Sequence, residues 1–171
     1  MNLTFRDIQS SDRGLLKDLL VQSYQPLKDL NEHPWIPGDD LWQDYDDHVF
    51  DNLGHEAEHV FLTEMDGGIV GFASFRISLD VATIGRNSVL PIHRGKGIGS
   101  SQVHEIIRRC LELKVQTINV QTGVHRFFEP AQKMYLRAGF EEVGRDDDGH
   151  NVRRVLIRYR FDLEKREGMA K

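Results

Sequence analysis

Val89-Leu90-Pro91-Ile92-His93-Arg94-Gly95-Lys96-Gly97-Ile98-Gly99-Ser100-Ser101 connects two different periodicities. Upstream, residues 81–90 read as a β-strand; downstream, residues 97–113 read as a helix. That helix turns Ile98, Val103, Ile106, Ile107, Cys110 and Leu111 toward a core. Glycine lets the backbone turn sharply and lets a ligand come close, because no Cβ stands in the way. The first amides of a helix have no acceptor within it and point outward with the positive end of the dipole. A phosphate or pyrophosphate is the natural occupant, and Arg94 and Lys96 add positive charge beside it.

Two common phosphate-binding patterns do not fit. A P-loop needs Gly-x-x-x-x-Gly-Lys-Ser/Thr, and neither Gly97 nor Gly99 is followed in that way. A dinucleotide fingerprint needs Gly-x-Gly-x-x-Gly/Ala; counted from Gly97 the last position is Gln102, and counted from Gly95 it is Ser100. The loop also follows what reads as an antiparallel meander, where a dinucleotide-binding unit would not begin.

Working outward, residues 3–8 alternate as a first strand, and Ser11 or Asp12 is placed to cap a helix carrying Leu15, Leu16, Leu19 and Leu20. Pro26, Pro34, Pro37 and Gly38 predict a loop. A second helix is predicted over 40–53, with Leu41, Tyr45, Val49 and Trp42 on its inner face. Residues 60–64 and 69–77 predict a hairpin around Asp66-Gly67-Gly68. Beyond the glycine loop come a short strand at 117–121 and a helix marked by Ala131, Met134, Tyr135 and Ala138, closed by Gly139. A last hairpin, 142–145 with 153–161, precedes a charged tail at 164–171 that is expected to fray. The whole describes one mixed α/β domain over 1–163.

The pattern Arg94-x-x-Gly97-x-Gly99 resembles the Gln/Arg-x-x-Gly-x-Gly/Ala acetyl-CoA signature of the GNAT superfamily of N-acetyltransferases. Pro130-Ala131-Gln132-Lys133-Met134-Tyr135-Leu136-Arg137-Ala138-Gly139-Phe140 is similar to that superfamily's Ala-x-x-Leu/Met-Tyr-x-x-x-Gly-Phe segment. The strand order around both motifs agrees with it. The resemblance implies a mostly antiparallel sheet that splays between strands four and five, with helices on both faces. It departs at Phe128, where many members carry Asn, and Gln121-Thr122-Gly123 looks like a subgroup with Thr-Gly after the fifth strand.

The resemblance also implies a chemistry. Acetyl-CoA would be the co-substrate, held by Val89, Leu90, Arg94, Gly95, Lys96, Gly97, Ile98, Gly99 and Ser100, and a primary amine would attack in a ternary complex. Pantetheine would run along the edge of the fourth strand. The Leu90 amide would polarise the thioester carbonyl, and Tyr135 would protonate the departing thiolate. The base is not legible, since residues 83–90 carry no carboxylate; His125 is the first candidate for a proton relay, ahead of His93 and Glu129. Two other readings share the fold: an acyl-CoA-binding or sensing module without turnover, and a transferase using another acyl-CoA.

Charge and composition set further bounds. Net charge is −5, which argues against non-specific nucleic-acid binding, and no run approaches a membrane span. Ten of the 27 acids lie within residues 29–58, which hold no Lys or Arg. That asymmetry suggests a cationic acceptor, with Glu32, Asp39, Asp40 and Asp44 as contributors and Trp35 and Trp42 as apolar or cation–π surfaces. Cys110 is the single cysteine, which suits a reducing cytoplasm. No leader is evident at the N-terminus, no metal-ligand spacing occurs, and a homodimer is left open.

Overall fold

A computed structural model describes residues 2–31, 38–146 and 155–163. The elements in chain order are β1 (Leu3–Asp7), α1 (Leu15–Leu30), α2 (Asp39–Asp51), β2 (Glu58–Met65), β3 (Gly68–Ser78), β4 (Val81–Val89), α3 (Ile98–Glu112), β5 (Thr117–Gly123), α4 (Glu129–Ala138), β6 (Glu141–Asp146) and β7 (Leu156–Asp162). Short 3-10 turns lie at Ser10–Asp12, Pro91–His93 and Arg126–Phe128. The sheet order is β1-β2-β3-β4-β5-β7-β6. Every pairing is antiparallel except β4 with β5.

Alternation along the strands builds two cores. Phe61, Ala73, Phe75, Ala82, Ile84 and Ile118 face α3 and α4, burying Val103, Ile106, Cys110, Tyr135 and Ala138. Val60, Leu62 and Phe72 face α1 and α2, burying Leu16, Leu20, Trp42, Val49 and Phe50. A period of two on the strands and 3.6 on the helices therefore puts helices on both faces of one sheet.

Several local expectations are corrected. Neither Ser11 nor Asp12 caps α1. Asp12 is bound by the Arg6 guanidinium (2.8 and 3.0 Å), and the cap position is Gly14, at φ +93°. The cap acceptor comes instead from α2: the buried Asp46 carboxylate receives the amides of Gly14 (2.9 Å), Leu16 (3.1 Å) and Lys17 (3.3 Å). Pro26 does not end the helix but lies inside α1. On α2 the inner face is Trp42, Asp46, Val49 and Phe50, while Leu41 is exposed. On α3, Leu111 is exposed and Gln102 is buried in its stead, donating to Thr63 Oγ1 (2.8 Å) and to the Ser88 carbonyl (3.2 Å).

Candidate active site

The sheet opens where the resemblance implied. β4 and β5 pair only through Val81, Ala82 and Thr83 with Thr117, Ile118 and Asn119. From there β4 stays on β3 and β5 stays on β7. The second half of β4 is thus an edge facing a gap.

A bulge decides what that edge presents. Ser74 pairs with Arg86 and Phe75 with Ile84, so Gly85 is the extra residue. A Cβ there would lie 3.0 Å from Ser74 Oγ. One extra residue reverses the alternation beyond it. Ala82 and Ile84 face α3 and α4, and so do Asn87 and Val89. Arg86, Ser88 and Leu90 face α1 and α2.

The same ladder corrects the assignment of Leu90. Its amide donates to the Val70 carbonyl at 2.9 Å, within the sheet. Neighbouring N–H groups on a strand point to opposite edges. The Val89 amide, paired across from Gly71, therefore points into the gap.

The glycine loop joins the end of β4 to the start of α3, as the sequence suggested. Gly95 (φ +75°) and Gly97 (φ +81°) are left-handed, a conformation that strains any residue with a Cβ. The first α-helical bond of α3 runs from the Ser101 amide to the Gly97 carbonyl, so the amides of Ile98, Gly99 and Ser100 precede it and lack an acceptor in the helix. Gly99 is needed for packing: a Cβ would come within 3.1 Å of Met134 Sδ. Ile98 contributes only its amide, since its side chain is buried. Lys96 is exposed.

Arg94 does something the motif did not reveal. Its own amide is used on Pro91, and its guanidinium donates from Nε to the Val89 carbonyl (3.1 Å) and from Nη2 to the Ser23 carbonyl (2.5 Å). It also lies 5.4 Å from the centre of the Phe127 ring. Desolvation there pulls its pKa below the usual arginine value. Pro26 lies in this turn of α1 and has no N–H to give the Gln22 carbonyl, the neighbour of the one that Arg94 takes. Arg94 thus ties the loop to α1, β4 and the β5–α4 connection.

Tyr135 is buried on the inner face of α4, against Phe140 (ring centres 5.4 Å apart) and Tyr159 (6.1 Å). Its hydroxyl lies beside the Asn87 amide, with Tyr24 of α1 near enough across the gap to act on it electrostatically. Burial drives its pKa well above the ordinary phenol value, against a smaller opposing effect of Asn87. Asn87 donates to the Gly99 carbonyl (3.2 Å), and its Oδ1 is buried without a partner. Sequence reading missed Asn87 because only the bulge brings it to this face.

His125 caps the turn after β5, its Nδ1 accepting from the Phe127 amide (3.2 Å). With Nδ1 accepting, the neutral ring carries its proton on Nε2. Phe128 lies over Gly123, where a Cβ would meet the ring at 2.8 Å. The Phe128 and Thr-Gly departures are therefore one feature.

Half of the ten acids of residues 29–58 are engaged internally. Asp39 pairs with Lys28 (2.9 Å), Asp47 and Asp51 with Arg13 (3.2 and 2.6 Å), and Glu58 with Arg76 (3.3 Å), while Asp46 caps α1. Asp40 and Asp44 are exposed and make no ion pair among the described residues. Trp42 is core, 1% exposed. Trp35 and Glu32 lie outside the described residues.

The model of the Acetyltransferase (GNAT) family matches residues 24–140. A candidate ribosomal-protein-bS18-alanine N-acetyltransferase of Bacillus subtilis (strain 168) is 25% identical over 92 residues, which is 54% of this chain and 60% of that protein. The PaiA N-acetyltransferase of Thermoplasma acidophilum, in complex with coenzyme A, superposes with a TM-score of 0.73 at 13% identity, covering 95% of this chain and 100% of that one. A variant of the Vibrio cholerae spermidine N-acetyltransferase gives 0.75 at 17%, covering 99% and 98%. At such identities the superpositions show a common fold.

Proposed function

We propose that this chain, which belongs to the acetyltransferase (GNAT) family, transfers the acetyl group of acetyl-CoA to a primary amine of a small molecule or peptide. The observation that carries this reading is the conjunction at one gap. Beside the end of β4 stand a left-handed glycine turn with outward amides, the gap-facing amide of Val89, and the buried hydroxyl of Tyr135.

The residues fit the co-substrate. The amides of Ile98, Gly99 and Ser100 suit a pyrophosphate, and the orphaned Asn87 Oδ1 supplies an acceptor beside the gap. The amine nitrogen forms a bond to the thioester carbon, and the carbon–sulfur bond breaks. The Val89 N–H stabilises the oxyanion, in place of the Leu90 amide that the sheet has claimed. Tyr135 gives its proton to the thiolate and regains one from solvent. Its raised pKa keeps it protonated throughout the neutral range. The proton from the amine passes to solvent.

The acidic stretch gives less support to a cationic acceptor than its charge suggests, because Asp39, Asp47, Asp51 and Glu58 already have basic partners. A cytoplasmic location accords with the one buried free cysteine, Cys110; no helix among the described residues is long and apolar enough to cross a membrane. Calorimetry with CoA, ATP and NAD tests the site. Binding of CoA with much weaker binding of the other two is expected, and equal affinity for all three would remove the assignment.

A further inference from the structure

Arg86 lies on the part of β4 that has left β5, three residues before Val89. Because of the Gly85 bulge its side chain rises on the α1–α2 side of the sheet. Its guanidinium carbon lies 5.4 Å from the centre of the Trp42 ring and 5.3 Å from that of Tyr45. Tyr45 is held in turn by a hydrogen bond to Ser74 Oγ (3.0 Å). Among the described residues Arg86 has no carboxylate partner, and its buried Nε has no acceptor. Its one hydrogen bond is a long contact from Nη1 to the carbonyl of Gly85 (3.4 Å).

This is unusual for its setting. α2, which packs over Arg86, carries six aspartates. Yet Asp39, Asp46, Asp47 and Asp51 are engaged elsewhere, and Asp40 and Asp44 are exposed. An unpaired charge at a partly buried site is costly, and stacking on two aromatic rings offsets only part of that cost. A stacked guanidinium is also held flat, with N–H edges available for bidentate contact with a carboxylate or phosphate.

The two sides of the gap are not equivalent. α3 begins on the α3–α4 side, where Tyr135, Asn87 and Met134 close the floor. A donor anchored at the start of α3 leaves the α1–α2 side for the incoming amine, and Arg86 is a cation on that side of the unpaired edge, while the Arg94 guanidinium there is committed to the Ser23 and Val89 carbonyls. We propose that Arg86 selects an acceptor bearing an anionic group, a carboxylate or phosphate, apart from its reactive amine. The inference rests on the transferase reading given above and adds the substrate class. The Cα atoms of Arg86 and Val89 are about 10 Å apart along the strand. Amine and anion are therefore separated by several bonds.

The test compares 4-aminobutanoate and 6-aminohexanoate with their carboxamides, and phosphoethanolamine with ethanolamine. Each is titrated onto the CoA-bound protein by calorimetry and assayed for acetylation. An anionic compound should bind about 10- to 100-fold more tightly than its neutral counterpart. Arg86→Gln should remove that preference and Arg86→Lys restore part of it, with CoA affinity and circular dichroism as checks on folding. The pair that discriminates identifies carboxylate or phosphate as the group recognised. Equal binding within every pair, or a preference that survives Arg86→Gln, would overturn the proposal. Binding decides the role of Arg86 without turnover; binding with no acetylation of any amine would instead overturn the transferase reading.

Discussion

Replacing the Val89 peptide nitrogen by an ester oxygen, with the α-hydroxy analogue of valine at that position, removes one N–H and leaves every side chain in place. Val89 stands opposite Gly71 in a pair that exchanges no ladder bond, since the Leu90 amide serves Val70. Deleting its N–H costs the sheet nothing directly. The ester weakens the Ser88 carbonyl, which accepts from Gln102 Nε2 at 3.2 Å, so stability should drop by about 0.5–1 kcal/mol. A preorganised oxyanion donor contributes about 2.7–4 kcal/mol, so kcat should fall by roughly 10²–10³. The same replacement at Leu90 deletes a 2.9 Å sheet bond. It also weakens the Val89 carbonyl that accepts from Arg94 Nε (3.1 Å), and should cost about 1–2 kcal/mol of stability while lowering kcat far less than the Val89 ester does. Urea unfolding and steady-state acetylation read the two effects separately. A Val89 ester with parental kcat, or a Leu90 ester that loses as much, would refute the reasoning.

Tyr135→Phe keeps the ring contacts with Phe140 and Tyr159 and should lower kcat about 10²–10⁴-fold with CoA affinity retained; parental kcat would leave Tyr135 as core alone. The folded pKa of Tyr135 is raised, so its contribution to stability is whole below the unfolded phenol value of about 10 and declines as pH rises beyond it. A tyrosinate absorbance titration should accordingly show this phenol ionising above the ordinary tyrosine range. Gly97→Val forces a β-branched residue to φ +81°, while Gly99→Val drives a side chain into Met134 Sδ; both should weaken CoA binding with the fold kept by circular dichroism, and unchanged affinity in both would remove the loop assignment. Asp46→Ala strips the acceptor from three α1 amides and should cost about 2–4 kcal/mol in urea unfolding.

What the sequence made legible was periodic or local. The glycine turn, the helix carrying Ala131, Met134, Tyr135 and Ala138, and Gly139 at φ +96° all depend on residues within a few positions of one another. What escaped it depends on partners distant in the chain. The α1 cap is Asp46, thirty positions from Leu16, while the local candidate Asp12 is taken by Arg6. The Gly85 bulge is set by Ser74 on the neighbouring strand and decides which faces Arg86 and Asn87 occupy. The motif gives the end of the strand but not which edge each amide serves, so it points to Leu90 where the sheet leaves Val89. In the sequence the acids of residues 29–58 form one block of charge, yet Arg13, Lys28 and Arg76, outside that segment, neutralise several of them.

The most direct test is thiol release from acetyl-CoA in the presence of amines: polyamines, aminoglycosides, amino acids, and peptides with a free N-terminus or lysine. Cys110 is the chain's only cysteine, is buried, and has its thiol pushed up to about 12 by desolvation. A thiol reagent therefore reports CoA and not the protein. Amine-dependent release of thiol, matched by acetylated amine in the mass spectrum, is the predicted result. Tight CoA binding with no thiol released by any amine would contradict it and make the chain a binding or sensing module.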